Sequence, residues 1–323
     1  MPAEPPSDSA SRAPTASVDA LSRALLEADY VADRATSLVL YLALSLERPI
    51  LVEGPAGVGK TELARAAARA LDRRLIRLSC YEGLDESKAL YDWDHAKQML
   101  YTQLVRDALA RTTSGATTIS QAVELVSSSE ASFYDRRFLL PRPLLAALES
   151  DTPAVLLIDE VDRADPEFEA FLLELLADMV ITIPELGTIR AKHAPLVLLT
   201  TNGTREMTEA LRRRCLHAFV EYPSPERELR ILERRLPGID RRLARSLTQF
   251  VAGLRALELR KAPSIGETLD WARTLLLLGK SQLDPDLVNE TLGVLLKHKE
   301  DRTLVEQRAP ALLQAVAAAE PAS

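Results

Sequence analysis

The chain has 323 residues, of which 47% are hydrophobic and 27% are charged, and its formal net charge is -7. This composition is typical of a globular protein of up to two domains and excludes a fibrous or a wholly disordered chain. The negative charge argues against non-specific binding to nucleic acid or anionic lipid, so we do not expect nucleic acid as a partner. Cys80 and Cys215 lie far apart without metal-like companions, which predicts two buried thiols and fits a cytoplasmic protein.

The amino-terminal segment, residues 1–20, is rich in Pro, Ser and Ala and lacks the apolar stretch of a signal peptide. We therefore predict a disordered lead there. The apolar run from Leu38 to Leu46 is too short to span a bilayer, so it predicts a core helix and no membrane span.

The segment LVEGPAGVGKTEL, Leu51 to Leu63, contains the pattern G-x-x-x-x-G-K-[ST]. Such a loop wraps phosphates with its backbone N–H groups, while the lysine neutralises the outer phosphates and the hydroxyl holds Mg²⁺. An apolar strand precedes the loop and a helical pattern follows it, which favours this interpretation over a glycine turn that only links strand to helix. We assign binding of the cofactor, ATP, to Gly54, Pro55, Ala56, Gly57, Val58, Gly59, Lys60, Thr61 and Glu62.

A second apolar strand, AVLLIDE, runs from Ala154 to Glu160 and ends in two carboxylates. Asp159 is the predicted metal residue together with Thr61. Glu160 is placed to activate an attacking water, which predicts hydrolysis rather than transfer to a bound hydroxyl. The alternative is an acidic helix start, because Asp165 followed by proline is typical of an N-cap. Both interpretations are compatible with the sequence.

A third apolar run, PLVLLTTN, ends at Asn202, whose amide could hydrogen-bond the γ-phosphate or its attacking water. The alternative for this asparagine is a plain turn. One short helix further on, Arg212, Arg213 and Arg214 form a basic cluster. We predict an arginine finger that reaches the nucleotide of a neighbouring subunit, and the alternative is a solvated helix end.

Apolar runs alternate with helical patterns along the chain, which is the signature of a parallel α/β sheet. Ligands of such sheets lie at the carboxyl ends of the strands, where the predicted site residues fall. We predict an α/β nucleotide-binding core at 21–222, a small all-helical lid at 223–305 and a C-terminal tail at 306–323. The predicted strands are Ile50 to Val52, Leu75 to Ser79, Val155 to Ile158, Leu196 to Thr200 and Ala218 to Glu221.

Two insertions interrupt this pattern. Residues 180–191, VITIPELGTIRA, predict a hairpin with its turn at Pro184 to Gly187. Residues 81–151 hold four aromatic residues amid acids, and these could face a central pore or a partner or could equally be the core of ordinary helices. The four are Tyr81, Tyr91, Trp93 and Tyr101. An intersubunit contact and a solvated face are the two alternatives for Arg136, Arg137 and Arg142.

The glycine-rich loop, LLIDE, LTTN and the arginine cluster, in this order, resemble an AAA+ ATPase of the MoxR family from about Tyr30 to Leu275. The strings RLSCYEGLDESKALYDWD, DRADPEFEAFLLELLADMVITIPELGTIRA and LRRRCLHAFVEYPSPERE are similar to its CoxD type, the accessory ATPase of molybdenum-copper carbon monoxide dehydrogenase. The resemblance implies a five-stranded parallel P-loop core, a helical lid, a ring homo-oligomer that is usually a hexamer, and a partner with a von Willebrand factor A domain. It also implies that the protein remodels a client metalloenzyme, for which carbon monoxide dehydrogenase is the expectation.

Carried over residue by residue, the resemblance repeats the roles given to the loop, the two carboxylates and the sensor asparagine, and it places the finger at Arg214. Two positions depart from the family pattern. Ser264 stands where a lid sensor arginine is usual, with Lys261 as the nearest base. Arg213 stands where an acid usually precedes the finger, which leaves Arg212 and Arg213 as rival fingers.

The sequence leaves other functions open. An activator of a different metalloenzyme would share every motif. A DNA-acting AAA+ ATPase needs a basic pore, which the acidic balance argues against. A small-molecule kinase with the same loop would lack the asparagine and arginine series. A nucleotide-bound scaffold without turnover is opposed by the intact Lys60, Asp159 and Glu160.

Overall fold

The structure is a computed structural model that describes residues 14–101, 103, 118, 135–184 and 186–319. Outside these ranges lie residues 1–13 of the predicted lead, residues 102, 104–117 and 119–134 in the middle of the first insertion, the turn residue 185 and residues 320–323.

The first described elements are two helices, Val18–Glu27 and Arg34–Leu46. The first begins inside the segment predicted as a disordered lead, because Ser17 caps it by accepting a hydrogen bond from Ala20 N at 3.1 Å and because Leu21 packs into the core. The second contains the apolar run that predicts a core helix. No helix in the described ranges is long and apolar enough to cross a membrane.

Five strands form one parallel sheet, in the order β2-β5-β8-β1-β9. They match the five predicted runs, although β9 begins at Leu216 rather than at Ala218. Two antiparallel pairs, β3 with β4 and β6 with β7, lie outside this sheet, and the second pair confirms the predicted hairpin. The strands of the described residues are β1 (Ile50–Glu53), β2 (Leu75–Ser79), β3 (Tyr91–Trp93), β4 (Leu139–Pro141), β5 (Val155–Asp159), β6 (Val180–Ile183), β7 (Gly187–Arg190), β8 (Leu196–Thr201) and β9 (Leu216–Phe219).

Alternate side chains of the interior strand β5 face two separate hydrophobic cores. Leu156 and Ile158 pack in the first core, and Val155 and Leu157 pack in the second. Because neighbouring side chains of a strand point to opposite faces, a strand covered on both sides is an unbroken apolar run. The sheet with its helices is therefore the α/β fold that the sequence predicts. The helices and turns of this part are Lys60–Ala70, Glu86–Leu90, the 3₁₀ turn Arg136–Phe138, Pro143–Leu148, the 3₁₀ turn Val161–Arg163, Pro166–Asp178 and Glu209–Arg214.

After Tyr222 the described chain is helical, as predicted for a lid, and its helices share a third hydrophobic core. Trp271 is fully buried in this core and donates its indole N–H to Thr291 Oγ1 at 2.8 Å. The polar end of the ring is thus satisfied while its apolar body is buried. The helices are Pro225–Arg235, Arg241–Arg255, Ile265–Leu277, Pro285–Leu295 and Lys299–Ala319.

The predicted C-terminal tail, 306–323, differs from the structure. The last helix continues from Lys299 to Ala319 across the predicted boundary. Its apolar positions are spaced so that Val305, Ala309 and Val316 pack into the lid core, and this burial holds the helix in place. The segment is part of the lid as far as it is described.

A buried ion pair joins the first two lid helices. Arg255 donates to Glu228 through Nη1 at 2.6 Å and through Nη2 at 2.8 Å. The Glu228 side chain is fully buried and that of Arg255 is 8% exposed. Arg255 Nε also donates to Pro263 O at 2.9 Å, and the guanidinium lies 4.6 Å from the ring centroid of Tyr222. One arginine therefore ties the start of the lid to the loop before the helix Ile265–Leu277.

We expect Arg255→Ala to destabilise the protein by about 3–5 kcal/mol, because it would leave the Glu228 carboxylate buried without a counter-charge. The matched control is Arg241→Ala, whose partner Glu233 lies 3.1 Å away in a pair where Arg241 is 74% exposed. Such an exposed pair contributes about 0–1 kcal/mol. Urea unfolding followed by circular dichroism measures both losses. Equal losses in the two variants would show that the buried pair has no special structural role.

Candidate functional site

Two glycines of the phosphate loop are required by the space around them. A Cβ on Gly54 would lie 2.0 Å from Val220 O, and a Cβ on Gly57 would lie 2.2 Å from Ser264 Cβ. Gly57 also has φ +80°, a left-handed conformation that other residues rarely adopt. The loop can therefore lie tightly between the core and the lid. Its backbone precedes the helix Lys60–Ala70, whose positive dipole end favours a bound phosphate.

Lys60 lies inside this loop and is only 7% exposed. Its Nζ donates to Gly54 O at 2.6 Å, to Pro55 O at 2.7 Å and to Asn202 Oδ1 at 2.8 Å. Burial holds the pKa of Lys60 below its ordinary value, while nearby carboxylates, Asp162 foremost, act in the opposite direction. The structure thus brings together a lysine and an asparagine that follow two neighbouring strands, β1 and β8.

Asp159 ends β5 and is 3% exposed. Its Oδ1 accepts hydrogen bonds from Thr61 Oγ1 at 3.0 Å and from Thr200 Oγ1 at 2.6 Å. Its Oδ2 accepts one from Arg77 Nη2 at 2.6 Å. Because Thr61 donates its proton to the carboxylate, a lone pair of the hydroxyl oxygen is left for a cation. Carboxylate and hydroxyl oxygens are ligands that Mg²⁺ prefers, so this donor set fits the predicted metal.

Glu160 follows in the left-handed conformation, with φ 57° and ψ 49°. Its backbone N–H donates to Thr200 Oγ1 at 2.9 Å. A residue other than glycine in this region is strained by about 1–3 kcal/mol and persists only where its surroundings fix it, often at a functional site. The carboxylate accepts a hydrogen bond from Arg163 Nη1 at 2.8 Å, and 43% of the side chain is exposed. Glu160 is thus accessible to water while its backbone is held.

Asp162 organises the loop that carries Asn202, a role that the sequence analysis missed. Its Oδ2 accepts hydrogen bonds from Asn202 N at 3.1 Å, Thr204 N at 3.1 Å and Thr204 Oγ1 at 2.6 Å. Burial opposes ionisation of Asp162, but the hydrogen bonds from Thr204 and Asn202 outweigh it and hold the pKa of the carboxyl below its ordinary value. Only its position three residues after Asp159 could have indicated this function.

Lys60, Thr61, Asp159, Glu160 and Asn202 line a cavity of about 500 Å³ to which both the core and the lid contribute. Its apolar side includes Val58 and Ile231. Tyr30 also lines it, and burial raises the pKa of its hydroxyl to about 12. A mixed cavity of this size, polar on one side and apolar on the other, fits a nucleotide.

The lid contributes several groups to the cavity, and Ser264 is one of them. The backbone N–H of the next residue, Ile265, donates to Gly57 O at 3.2 Å, so the lid touches the phosphate loop directly. Lys261, the other predicted candidate for the lid sensor, is turned away and lies 3.5 Å from Glu267 Oε1. Three lid arginines that the sequence analysis did not single out line the cavity instead, namely Arg227, Arg235 and Arg273.

The three clustered arginines end the helix Glu209–Arg214 and have different surroundings. Arg212 Nη1 lies 4.0 Å from Oε2 of Glu53, the last residue of β1 in the same α/β domain. Arg213 Nε donates to Glu209 at 2.9 Å on the surface. The side chain of Arg214 is exposed, and within the described ranges no carboxylate pairs with it. Arg214 is thus the cluster member best placed to contact another molecule.

The described part of the first insertion packs against its own chain. Tyr91 and Trp93 are partly buried against the main core, and Tyr101 lies 5.2 Å from the ring of Phe138. This favours the core interpretation for these three, whereas Tyr81 is 44% exposed. The nearby arginines also have partners in the chain: Arg136 pairs with Glu149, Arg137 with Asp135 and Arg142 with Asp92.

Both cysteines are buried, as predicted. Burial raises the pKa of Cys80 to about 12 and that of Cys215 to about 12. Each thiol therefore stays protonated and unreactive at neutral pH. In the described part of the chain, no group of three or more His, Cys, Asp or Glu side chains is arranged to hold a metal by itself.

The parallel sheet and the glycine-rich loop around Lys60 form an α/β P-loop core. Residues 34–189, just under half of the chain, match the family model described as an AAA ATPase domain.

The known proteins that are similar to the chain include a chaperone and a branch migration motor. It is 29% identical over 191 residues to Chaperone protein ClpB 2 of Thermosynechococcus vestitus, an alignment that covers 55% of this chain and 18% of that protein. The chain therefore spans less than a fifth of the length of this relative. It also aligns with the solved structure of the RuvB Holliday junction branch migration motor of Thermotoga maritima, at 17% identity and a TM-score of 0.44, over 87% of this chain and 79% of that one.

Proposed function

We propose that the chain binds ATP with Mg²⁺ in the cavity between core and lid and converts its hydrolysis into motion of the lid. The contact of Ser264 and Ile265 with Gly57 carries this proposal, because it joins the lid to the phosphate loop itself. A conformational change of the loop on phosphate binding or release would therefore displace the lid residues that contact it. The core and the lid have separate hydrophobic cores, so they can move as bodies.

The chain's own residues would bind and orient the nucleotide. Lys60 exchanges its bonds to the carbonyl oxygens of Gly54 and Pro55 for the outer phosphates, at low cost because its ammonium is already desolvated. Thr61 and Asp159 would hold Mg²⁺, which would supply positive charge to neutralise the developing phosphate charge. The apolar wall formed by Val58 and Ile231 receives the base.

Hydrolysis needs a group that orients water and accepts its proton. We assign this role to the carboxylate of Glu160, which is accessible and lies on the backbone turn fixed by Thr200. Asn202 senses the γ-phosphate: once Lys60 turns to the phosphates, the amide loses its lysine partner and is free to bond the phosphate or the attacking water. Asp162 positions the Asn202 backbone for this exchange.

We further propose that the active protein is a ring of identical subunits, with a hexamer as the expected form. Arg214 then completes the neighbour's site as the arginine finger. Its exposed guanidinium has no carboxylate partner among the described residues, which supports this choice over Arg212 and Arg213, whose side chains lie next to Glu53 and Glu209.

The proposed client is a metalloenzyme, most specifically a molybdenum-containing carbon monoxide dehydrogenase or a related hydroxylase whose metal site the protein helps to mature in the cytoplasm. A von Willebrand factor A domain protein is the proposed partner. The MoxR and CoxD resemblance of the three long sequence strings supports both assignments. The alternative is a MoxR-type activator of a different metalloenzyme. A DNA-acting ATPase is less well supported, because the chain is acidic.

Deleting the gene from a carbon-monoxide-oxidising host tests the client. We expect the dehydrogenase subunits to assemble but to lack a complete metal site, which metal analysis of the purified enzyme measures. Wild-type protein supplied in trans should restore the site, and Glu160→Gln should not. The matched control Glu167→Gln changes an exposed acid of the helix Pro166–Asp178 and should restore it fully. A fully loaded, active dehydrogenase from the deletion strain would remove carbon monoxide dehydrogenase as the client.

A further inference from the structure

Asp159 has an arginine partner that the proposed reaction does not use. Arg77 Nη2 lies 2.6 Å from Asp159 Oδ2. Arg77 is on β2, and Asp159 ends the neighbouring strand β5 with Ser79 as its register partner. In the part of the chain that the structure describes, Arg77 is the only cation within ion-pair distance of this carboxylate.

The burial of Asp159 explains why a cation is needed there. Its side chain is 4% exposed, and a buried carboxylate is costly unless it is paired and hydrogen-bonded. Lys60 does not serve this purpose, because its ammonium donates to the loop carbonyls and to Asn202. The hydroxyls of Thr61 and Thr200 supply hydrogen bonds without charge. Among the described residues, Arg77 is the cation that forms an ion pair with this carboxylate.

The two partners differ in their freedom to move. The Arg77 side chain is 45% exposed, so the guanidinium can turn into water at low cost, whereas Asp159 is fixed at the end of a buried strand. A divalent cation held by Thr61 and Asp159 draws on the same carboxylate oxygens that Arg77 contacts. The arginine and the metal therefore compete for one charge.

We propose that Arg77 is a positioning residue that occupies the Asp159 carboxylate until Mg²⁺ arrives with the nucleotide and then yields it. By this competition, Arg77 raises the Mg²⁺ concentration that is needed for half-maximal nucleotide binding. This inference rests on the proposed ATP and Mg²⁺ site and adds the group with which the metal competes.

The test titrates MgCl₂ into protein with a fixed, limiting concentration of a fluorescent, slowly hydrolysed ATP analogue and follows anisotropy. We expect Arg77→Met, which keeps the length of the side chain without its charge, to lower the half-saturating Mg²⁺ concentration by about two- to fivefold, the range for a partly exposed ion pair. Arg77→Lys should lie close to wild type. The control Arg74→Met removes an exposed arginine just before β2 and should leave the titration unchanged.

Thermal unfolding in EDTA and in MgCl₂ gives a second readout that does not depend on nucleotide. In EDTA, the melting temperature of Arg77→Met should be lower than that of wild type. Added MgCl₂ should raise the melting temperature of Arg77→Met by more than it raises that of wild type. An unchanged or higher half-saturating Mg²⁺ concentration in Arg77→Met overturns the proposal for Arg77 alone. If wild-type protein shows no Mg²⁺-dependent nucleotide binding, the proposed nucleotide site is wrong, and this inference fails with it.

Discussion

We expect Lys60→Ala to weaken ATP binding by roughly 10- to 100-fold, because a charge-assisted hydrogen bond to phosphate contributes about 1.5–3 kcal/mol. In contrast, Glu160→Gln should bind ATP as wild type does and lose turnover by about 10²- to 10⁴-fold, since it removes only the proton acceptor for the attacking water. Isothermal titration measures the binding, and phosphate release at saturating ATP measures the turnover.

Two exposed residues give matched controls for these variants. Lys192→Ala removes a lysine whose Nζ lies 2.6 Å from Asp151 Oδ1 on the surface, and it should change neither quantity. Glu167→Gln should likewise leave both unchanged. If Glu160→Gln failed to bind ATP, or hydrolysed it at the wild-type rate, the assignment of Glu160 as the base would be wrong. Wild-type affinity in Lys60→Ala would contradict the phosphate role of the lysine.

The second large effect concerns Arg214. We expect Arg214→Ala to lower the rate of hydrolysis by about 10³-fold or more with little change in ATP affinity, because an arginine finger acts on the charge of the transition state. The control is Arg213→Ala, which removes an exposed arginine paired with Glu209. This variant should change the rate of hydrolysis only slightly. A loss in Arg213→Ala that matched the expectation for Arg214→Ala would move the finger role to Arg213.

Mixing two inactive variants shows whether Arg214 acts across a subunit boundary. A ring of Arg214→Ala and Lys60→Ala subunits contains some sites with an intact Lys60 pocket and a neighbour's intact Arg214. We expect hydrolysis to return in part and to depend on the mixing ratio, with native mass spectrometry showing that subunits exchange. Exchange without any recovery would count against a finger in trans. A wild-type rate of hydrolysis in Arg214→Ala alone would exclude Arg214 as the arginine finger.

Local sequence determined the parts of this protein that depend on neighbouring residues. Apolar runs such as β5 are strands because both of their faces are covered, and the glycines, lysine and threonine of the loop fit the turn from β1 into a helix. The carboxyl ends of parallel strands meet at one edge, so the sequence also predicted that Lys60, Asp159 and Asn202 would lie together. Their contacts in the structure agree with that expectation.

Local pattern was less informative at the ends of the chain. The composition of residues 1–20 and 306–323 suggests a lead and a tail. Yet Leu21 packs into one hydrophobic core of the α/β part, and Ala309 and Val316 pack into the lid core. A compositional bias toward Ala and Ser does not prevent a helix when one of its faces finds an apolar surface, and that surface is made by residues far away in the sequence.

Only the tertiary structure decided which side chains complete the site. Arg77 reaches Asp159 from another strand, and no spacing rule connects residues that lie 82 positions apart. Ser264 touches Gly57 because the lid folds back over the loop, and the same fold places Arg273 at the cavity while turning Lys261 away. The periodicity of a sequence predicts which residues lie on the same face of one helix or strand. Which charged residues of different elements pair depends on how those elements pack in the tertiary structure.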